Sequence, residues 1–348
     1  MFKSLQACRG LAALLVVLFH LGLAIASPKY FNIESFGRPF RFGDSGVAFF
    51  FVLSGFIITW AHFDDFDKPK RVLRYLRKRA LRIYPVYWAV FFAVYLTASA
   101  SPSLRASVPH DWPTLIKSVL LLPQDPAITG GTGAPVLIVA WSLQYEMCFY
   151  ALMGAFVVRR PLGYLLCLPL AMNIVGCLLH PCSFPGSFFG NPLILLFGAG
   201  VLIAYLRKRS VNLPRPLIIA TSAAAAYIGV GVLEAFHGTA VLQVDRMLVY
   251  GGLSGCIIFC LVQSEEAGKL RIRHRWITLL GDSSYSLYLV HFPMISLGCK
   301  SAMLLGLAGR SGAGVAYAVI LAICVSAGLI LHKFLEVPSL RALSYSSP

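Results

Sequence analysis

Arg9 and His20 share one uninterrupted apolar stretch, residues 5–26, which reads LQACRGLAALLVVLFHLGLAIA. Ionisable groups inside a hydrophobic span are costly to insert, and they persist where they face a protein interior or a wet cavity. An imidazole there can take and return a proton near neutral pH. A guanidinium can grip a phosphate through two parallel hydrogen bonds. The spacing links the two residues. Eleven residues of helix bring His20 back to within roughly 20° of Arg9 and about 16 Å further along the axis. Both side chains therefore look into one cavity, an anchoring cation at one membrane face and a titratable base deep above it.

Glu146, in the stretch WSLQYEMCFY, is the third candidate. Counting from the outer ends of their segments, His20 lies about 9 Å down and Glu146 about 12 Å down. Two ionisable groups at nearly one depth read as an acid–base pair, with the imidazole as base and the carboxylate orienting it and stabilising its charge. The plain alternative for both is a structural hydrogen bond between helices. Trp141, Ser142 and Tyr150 flank Glu146 and are candidates for lining a substrate. His291, in SYSLYLVHFP, joins them. On ideal-helix rise its depth differs from that of His20 by about 10 Å, so the two are not paired. Packing, substrate lining and catalysis all remain open for it. Glu336, at the inner end of the last segment, reads as a structural partner for basic residues.

These residues must be held by membrane-spanning helices. The chain has 348 residues, 58% of them hydrophobic and 13% charged, with a mean hydropathy of +0.75. That composition indicates an all-α, polytopic membrane protein with a single domain and leaves no stretch polar enough for a separate soluble one. Ten spans are predicted, near residues 5–26, 45–62, 83–100, 138–157, 162–180, 191–206, 214–234, 246–263, 284–304 and 313–335. Ala24-Ile25-Ala26 before Ser27 has the look of a signal-peptide cleavage site, but an internal His and further spans argue against cleavage. Ser54-Gly55 would let another helix approach closely. Trp60, Tyr84, Tyr87 and Trp88, near span ends, read as interface anchors. Residues 101–137 read as a long extracytoplasmic loop.

The net charge of +16 could suit nucleic acid, yet its distribution speaks for topology. With ten spans both termini share a side, and 22 of the 30 Lys and Arg fall on it, including Arg273. The positive-inside rule makes that side cytoplasmic. Eight of those cations lie in residues 64–82, DDFDKPKRVLRYLRKRALR, read as a basic amphipathic helix on the membrane surface. Such a helix can serve anionic lipid and topology alone, or hold the phosphates of a nucleotide as well. The nine Cys read as small buried hydrophobes, with neither a disulfide frame nor a metal site indicated. There is no P-loop, HExxH or GxSxG motif.

Six stretches in order carry a resemblance: LQACRGLAALLVVLFH, FFFVLSGFIIT, RKRALRIYPVYW, WSLQYEMCFY, LGDSSYSLYLVHFP and FLEVP. Together they resemble acyltransferase family 3, the integral membrane acyltransferases, and most of all its exopolysaccharide O-acetyltransferases. Residues 160–265 match in hydropathy alone. The resemblance implies transfer of an acyl group, usually acetyl from acetyl-CoA, to a sugar hydroxyl of a cell-envelope or exported glycan, with no metal. It implies that His20 is essential and that Arg9, Arg77, Arg79 and Arg82 serve the donor. Expected partners are acyl-CoA, a glycan or lipid-linked oligosaccharide, membrane lipids and polysaccharide biosynthesis or export proteins, with no nucleic acid. The expected location is the inner, cytoplasmic membrane. A transporter or flippase is the competing reading, since intramembrane charges can line a path. Against it, no inverted repeat and no paired broken helices are evident. A scaffold for an export complex is the third reading, and it would not need Arg9, His20 and Glu146 where they are.

Overall fold

The structure, a computed structural model, describes residues 2–238, 245–272 and 275–341. Arg273, counted above toward the cytoplasmic side, lies outside them. Helices dominate, and there is no strand among the described residues. In chain order they are α1 (Lys3–Ala26), α2 (Gly46–His62), α3 (Val72–Ala100), α4 (Trp112–Val119), α5 (Pro126–Thr129), α6 (Trp141–Val158), α7 (Arg160–Leu179) and α8 (Gly186–Phe189). Then follow α9 (Ile194–Lys208), α10 (Pro216–His237), α11 (Arg246–Glu266), α12 (Arg275–Asp282), α13 (Ser284–Leu304), α14 (Gly309–Leu331) and α15 (Val337–Arg341). Nine helical segments are long and apolar enough to cross a membrane among the described residues. The fourth predicted span, 138–157, corresponds to α6, an 18-residue helix diluted by Gln144 and Glu146 that is not among those nine. The protein is therefore an all-α polytopic membrane protein.

The chain folds as two compact units. One runs from the N-terminus to Ile57 and takes in Leu196–Lys333; the other comprises Ile58–Leu195 and the residues from Phe334 on. In the first unit α1 is the central helix. Its Ala13, Val17, Leu21 and Ile25 are buried in one cluster with Leu287 and Ile295 of α13 and Ala316, Ile320 and Cys324 of α14. Leu11 and Leu23, on the other side of α1, are exposed, as suits lipid contact. Small residues set the approach of the helices. A Cβ built on Gly281 would stand 2.0 Å from the Gln6 carbonyl oxygen, and one on Gly10 would stand 3.0 Å from the Gly281 nitrogen. The expected close approach at Ser54-Gly55 is also present. A Cβ on Gly55 would meet the Phe197 carbonyl oxygen at 2.1 Å, and one on Gly200 would meet that of Val52 at 2.0 Å.

The second unit departs from the sequence reading in three places. The basic stretch is no separate surface helix. After a short turn at Pro69–Arg71, α3 runs unbroken for 29 residues with Pro85 inside it. The basic residues project from one end of a spanning helix whose Tyr75, Ile83, Val86 and Tyr87 are buried. Second, the long loop after α3 folds back along it. Tyr84 Oη, Tyr87 Oη and Trp88 Nε1 donate to the carbonyls of Leu120, Ser118 and Val119 at 3.0, 2.6 and 3.0 Å. These three donors sit at i, i+3 and i+4 on one helix face, and they meet the carbonyls at the end of α4 and its cap residue Leu120, where the Ser118 carbonyl also accepts from the Leu121 N–H at 3.1 Å. Trp88 lies about 18 Å along α3 from its C-terminal end, so the segment returns well down the helix. These three residues, read from the sequence as interface anchors, dock the end of α4 against α3. Third, Cys177 and Cys182 are joined in a disulfide at the end of α7. Their mostly apolar setting had concealed it, because pairing depends on the turn after α7 and not on spacing.

Backbone cannot retreat as a side-chain tip can, so Gly281→Val should destabilise the first unit by about 1–3 kcal/mol or more. Gly252→Ala, at an open site with nothing within 4 Å, should change stability by less than about 1 kcal/mol. Thermal unfolding of the detergent-solubilised protein distinguishes them. A Gly281→Val protein that melts with the parent would show that α12 is not seated on α1 as described.

Candidate active site

The N-terminus of α1 begins without a capping side chain of its own. Its free N–H groups are satisfied from elsewhere. Glu265, in the last turn of α11, accepts from the Lys3 and Ser4 backbone N–H at 2.8 and 2.9 Å and from Ser4 Oγ at 2.5 Å. A carboxylate at this helix end also opposes the positive end of the helix dipole. One turn on, Gln6 Nε2 donates to Asp282 Oδ1 at 2.7 Å, and Arg9 Nη1 donates to Gln6 Oε1 at 3.0 Å. A carboxylate can only accept and a guanidinium can only donate, so the Gln6 amide has one possible orientation. Asp282 thus holds Gln6, and Gln6 holds Arg9. The sequence reading found Arg9 but neither of its supports, since Gln6 looks like any polar residue at a span end.

His20 lies half-buried about three-quarters of the way along α1. Its Nδ1 is 3.0 Å from the Val16 carbonyl oxygen and 3.2 Å from His291 Nε2. His291, fully buried, places its own Nδ1 3.3 Å from the Leu287 carbonyl oxygen. Phe19 and Phe292 stand edge-on to the His20 ring, with centroids at 5.0 and 5.4 Å. The two imidazoles were expected at different depths, and the structure overturns that. Depth had been counted from the ends of predicted spans. The true reference is the Gly10–Gly281 contact, from which each histidine lies ten residues along a helix running the same way, or about 15 Å. Because α12 leads into α13 with only Ser283 between them, α13 effectively begins one short helix earlier than its apolar run shows.

One neutral proton arrangement satisfies all three contacts. His291 carries its proton on Nδ1 and donates to the Leu287 carbonyl. Its Nε2 lone pair then accepts from His20 Nδ1–H, which the Val16 carbonyl shares. The reverse arrangement would point a lone pair at each carbonyl oxygen. His20 Nε2 is left with its lone pair and makes no hydrogen bond within the described residues. The turn Gly43–Ser45 lies against α1 near Leu15 and Phe19. Its Asp44 is bound by both terminal nitrogens of Arg246 at 2.8 and 2.9 Å, and Arg246 also holds the fully buried Glu234 at 2.7 and 2.9 Å.

The other sequence candidates belong to the second unit. Glu146 Oε1 accepts from Tyr150 Oη at 2.5 Å, and the Tyr150 carbonyl accepts from Tyr75 Oη at 3.0 Å. Arg79 stands over the Tyr150 ring, 5.8 Å from its centroid. Sequence reasoning also passed over His62, which is buried, faces the Tyr75 ring edge-on at 4.9 Å and bonds Asp65 Oδ2 at 2.8 Å. Arg82 is ion-paired with the buried Glu336, as expected for Glu336, and Arg77 is exposed. Ser142 Oγ donates to the Val139 carbonyl at 3.1 Å, which turns it toward the start of α6. Trp141 packs edge-on to Tyr145 at 6.0 Å. No group of three or more His, Cys, Asp or Glu side chains converges as a metal site would, among the described residues.

A family model described as an acyltransferase domain matches residues 2–332. The chain is 30% identical over 315 residues to "Exopolysaccharide production protein ExoZ" of Rhizobium meliloti (strain 1021), covering 88% of this chain and 93% of that protein. It is 26% identical over 381 residues to "Acyltransferase MdmB" of Streptomyces mycarofaciens, covering 99% and 93% respectively. No solved structure matches. With the family match running almost from end to end, through Arg9, His20, Glu146 and His291 alike, the chain belongs to acyltransferase family 3 and is a multi-pass membrane acyltransferase.

Proposed function

We propose that the protein moves an acyl group, acetyl in the first instance, from acyl-CoA to a sugar hydroxyl of an exopolysaccharide or other cell-envelope glycan. The observation that carries this reading is His20: its Nδ1 is tied to the Val16 carbonyl and to His291, which leaves Nε2 as a base for an incoming hydroxyl. In the proposed step Nε2 takes the hydroxyl proton as the sugar oxygen attacks the thioester carbonyl. The C–O bond forms, the C–S bond breaks, and the departing CoA thiolate recovers the proton. Arg9, held by Gln6 on the same helix, suits the phosphates of the donor, which is too polar to enter the membrane whole.

The orientation proposed is cytoplasmic termini in the inner membrane, with the donor entering from the cytoplasm. The Lys and Arg balance supports it. So does the Cys177–Cys182 disulfide, which this orientation puts on the extracytoplasmic side, where disulfides persist. The relative described as an exopolysaccharide production protein supports a glycan acceptor. Arg77 and Arg79 are proposed to add to donor binding. Arg82, already neutralised by Glu336, would contribute chiefly through the position of α3. Trp141, Ser142 and Tyr150 remain proposed acceptor contacts.

The direct test is transfer of labelled acetyl from acetyl-CoA to extracted cell-surface glycan by the protein in vesicles. Surface glycan that keeps its acetyl content while its export is lost, in cells without this chain, would favour transport and sink the proposal. His20→Ala should lower transfer by roughly 10²–10⁴-fold, the usual contribution of a general base, with the protein still inserted. Near-parental transfer by a well-expressed variant would mean that His20 only packs. Arg9→Lys should weaken acetyl-CoA binding, because an ammonium does not reproduce the two-pronged guanidinium contact; equal binding would remove Arg9 from the donor site. Glu146→Gln retains an oxygen for Tyr150 and removes the charge. It should lower kcat with little effect on the donor. Unchanged kcat at saturating acceptor, with only the acceptor KM raised, would assign Glu146 to sugar binding.

A further inference from the structure

We infer that His291 is a positioning residue that selects the reactive tautomer of His20 and stabilises its protonated form, rather than a residue that lines the substrate. The inference rests on the proposed role of His20 as base. A free imidazole divides its proton between two nitrogens, and which one carries it is set by what the other meets. His20 Nδ1 meets an acceptor at 3.2 Å, His291 Nε2. That nitrogen can accept only because His291 Nδ1 donates to the Leu287 carbonyl at 3.3 Å. The chain of contacts thus runs from backbone to His291 to His20, and it ends with a lone pair at Nε2.

The same arrangement serves the charged form. When His20 Nε2 takes a proton, Nδ1–H is already in place and already donating. No ring flip and no tautomer exchange is needed. A carboxylate in the place of His291 would also orient the ring, but at the cost of a second full charge deep in the membrane region. A neutral imidazole supplies a directed lone pair without that charge. His291 is fully buried, packed by Tyr288 at 5.8 Å between centroids and by Cys324, whose Sγ lies 3.7 Å from its carbonyl oxygen. Both of its ring nitrogens are engaged by protein, one by the Leu287 carbonyl and the other by His20, so it acts through its neighbour rather than on a sugar.

The test uses the full-length protein in vesicles and compares His291→Leu with His291→Gln. The Gln side chain can set its amide oxygen where Nε2 stood, whereas Leu offers no acceptor. His291→Leu should lower kcat by ten-fold or more, with KM for acetyl-CoA and for the glycan within three-fold of the parent. His291→Gln should recover at least a third of parental kcat. A purely structural His291 would give the opposite pattern: both variants would lose inserted protein or thermal stability, and neither would show a kcat-specific loss at equal protein. Parental kcat in His291→Leu, or equal kcat loss in both variants at parental stability, overturns the inference. His20→Ala, run alongside, separates the two levels. If it is active, the reading of His20 as base has failed; if it is inactive while His291→Leu is normal, only the assignment of His291 has failed.

Discussion

The seating of α12 on α1 is the constraint from which the rest of the first unit follows. Glycine at 10 and 281 lets two backbones meet with no side chain between them. That contact aligns α13 with α1, and the alignment brings His291 to His20 at 3.2 Å. It also sets Asp282 beside Gln6, and through Gln6 it orients Arg9. The cation and the base on one helix are thus both tied to the same neighbouring segment. Dispersion and close packing, rather than the hydrophobic effect, must hold such helices together in lipid. Polar contacts at the ends, such as Glu265 on the first residues of α1, add direction to that packing.

Charge inside this protein is handled by local neutralisation. Arg246 holds Asp44 and Glu234 together, Arg82 holds Glu336, and Arg207 holds Glu266. The Arg246–Asp44 and Arg82–Glu336 pairs join elements distant in sequence, whereas Arg246–Glu234 joins the consecutive helices α10 and α11; each pair removes a charge that would otherwise oppose burial. His20 is treated differently. Its ring contacts are a backbone carbonyl, a second imidazole and two aromatic edges.

The second unit shows how a polar segment is accommodated. Residues 101–140 are too polar and too broken to span, yet part of them returns along α3. The end carbonyls of α4 find three aromatic donors on one face of that helix. Gln144 then donates to the carbonyls of Leu122 and Gly133 at 3.1 and 3.0 Å, which fixes the start of α6. Irregular backbone at depth is tolerable where protein side chains meet its hydrogen-bonding groups.

The sequence by itself determined the class, the order of the apolar segments and the family, while its count of ten spans included α6, which is not among the nine candidate spans of the described residues. Those depend on local hydropathy and on short motifs, both legible one segment at a time. It also singled out Arg9 and His20, because a charge in an apolar run is conspicuous and its helical phase follows from arithmetic. What only the tertiary structure decided was register and partnership. His291 was visible, but its pairing with His20 depends on where two helices touch, and a glycine contact leaves no mark in hydropathy. Gln6, Asp282 and Asp44 were invisible for the same reason: each matters through a partner more than 200 residues away. The continuous α3, the returning segment after it and the Cys177–Cys182 bond likewise depend on how neighbouring elements satisfy one another. A sequence read in windows reports what each segment needs, and only the fold reports which segment supplies it.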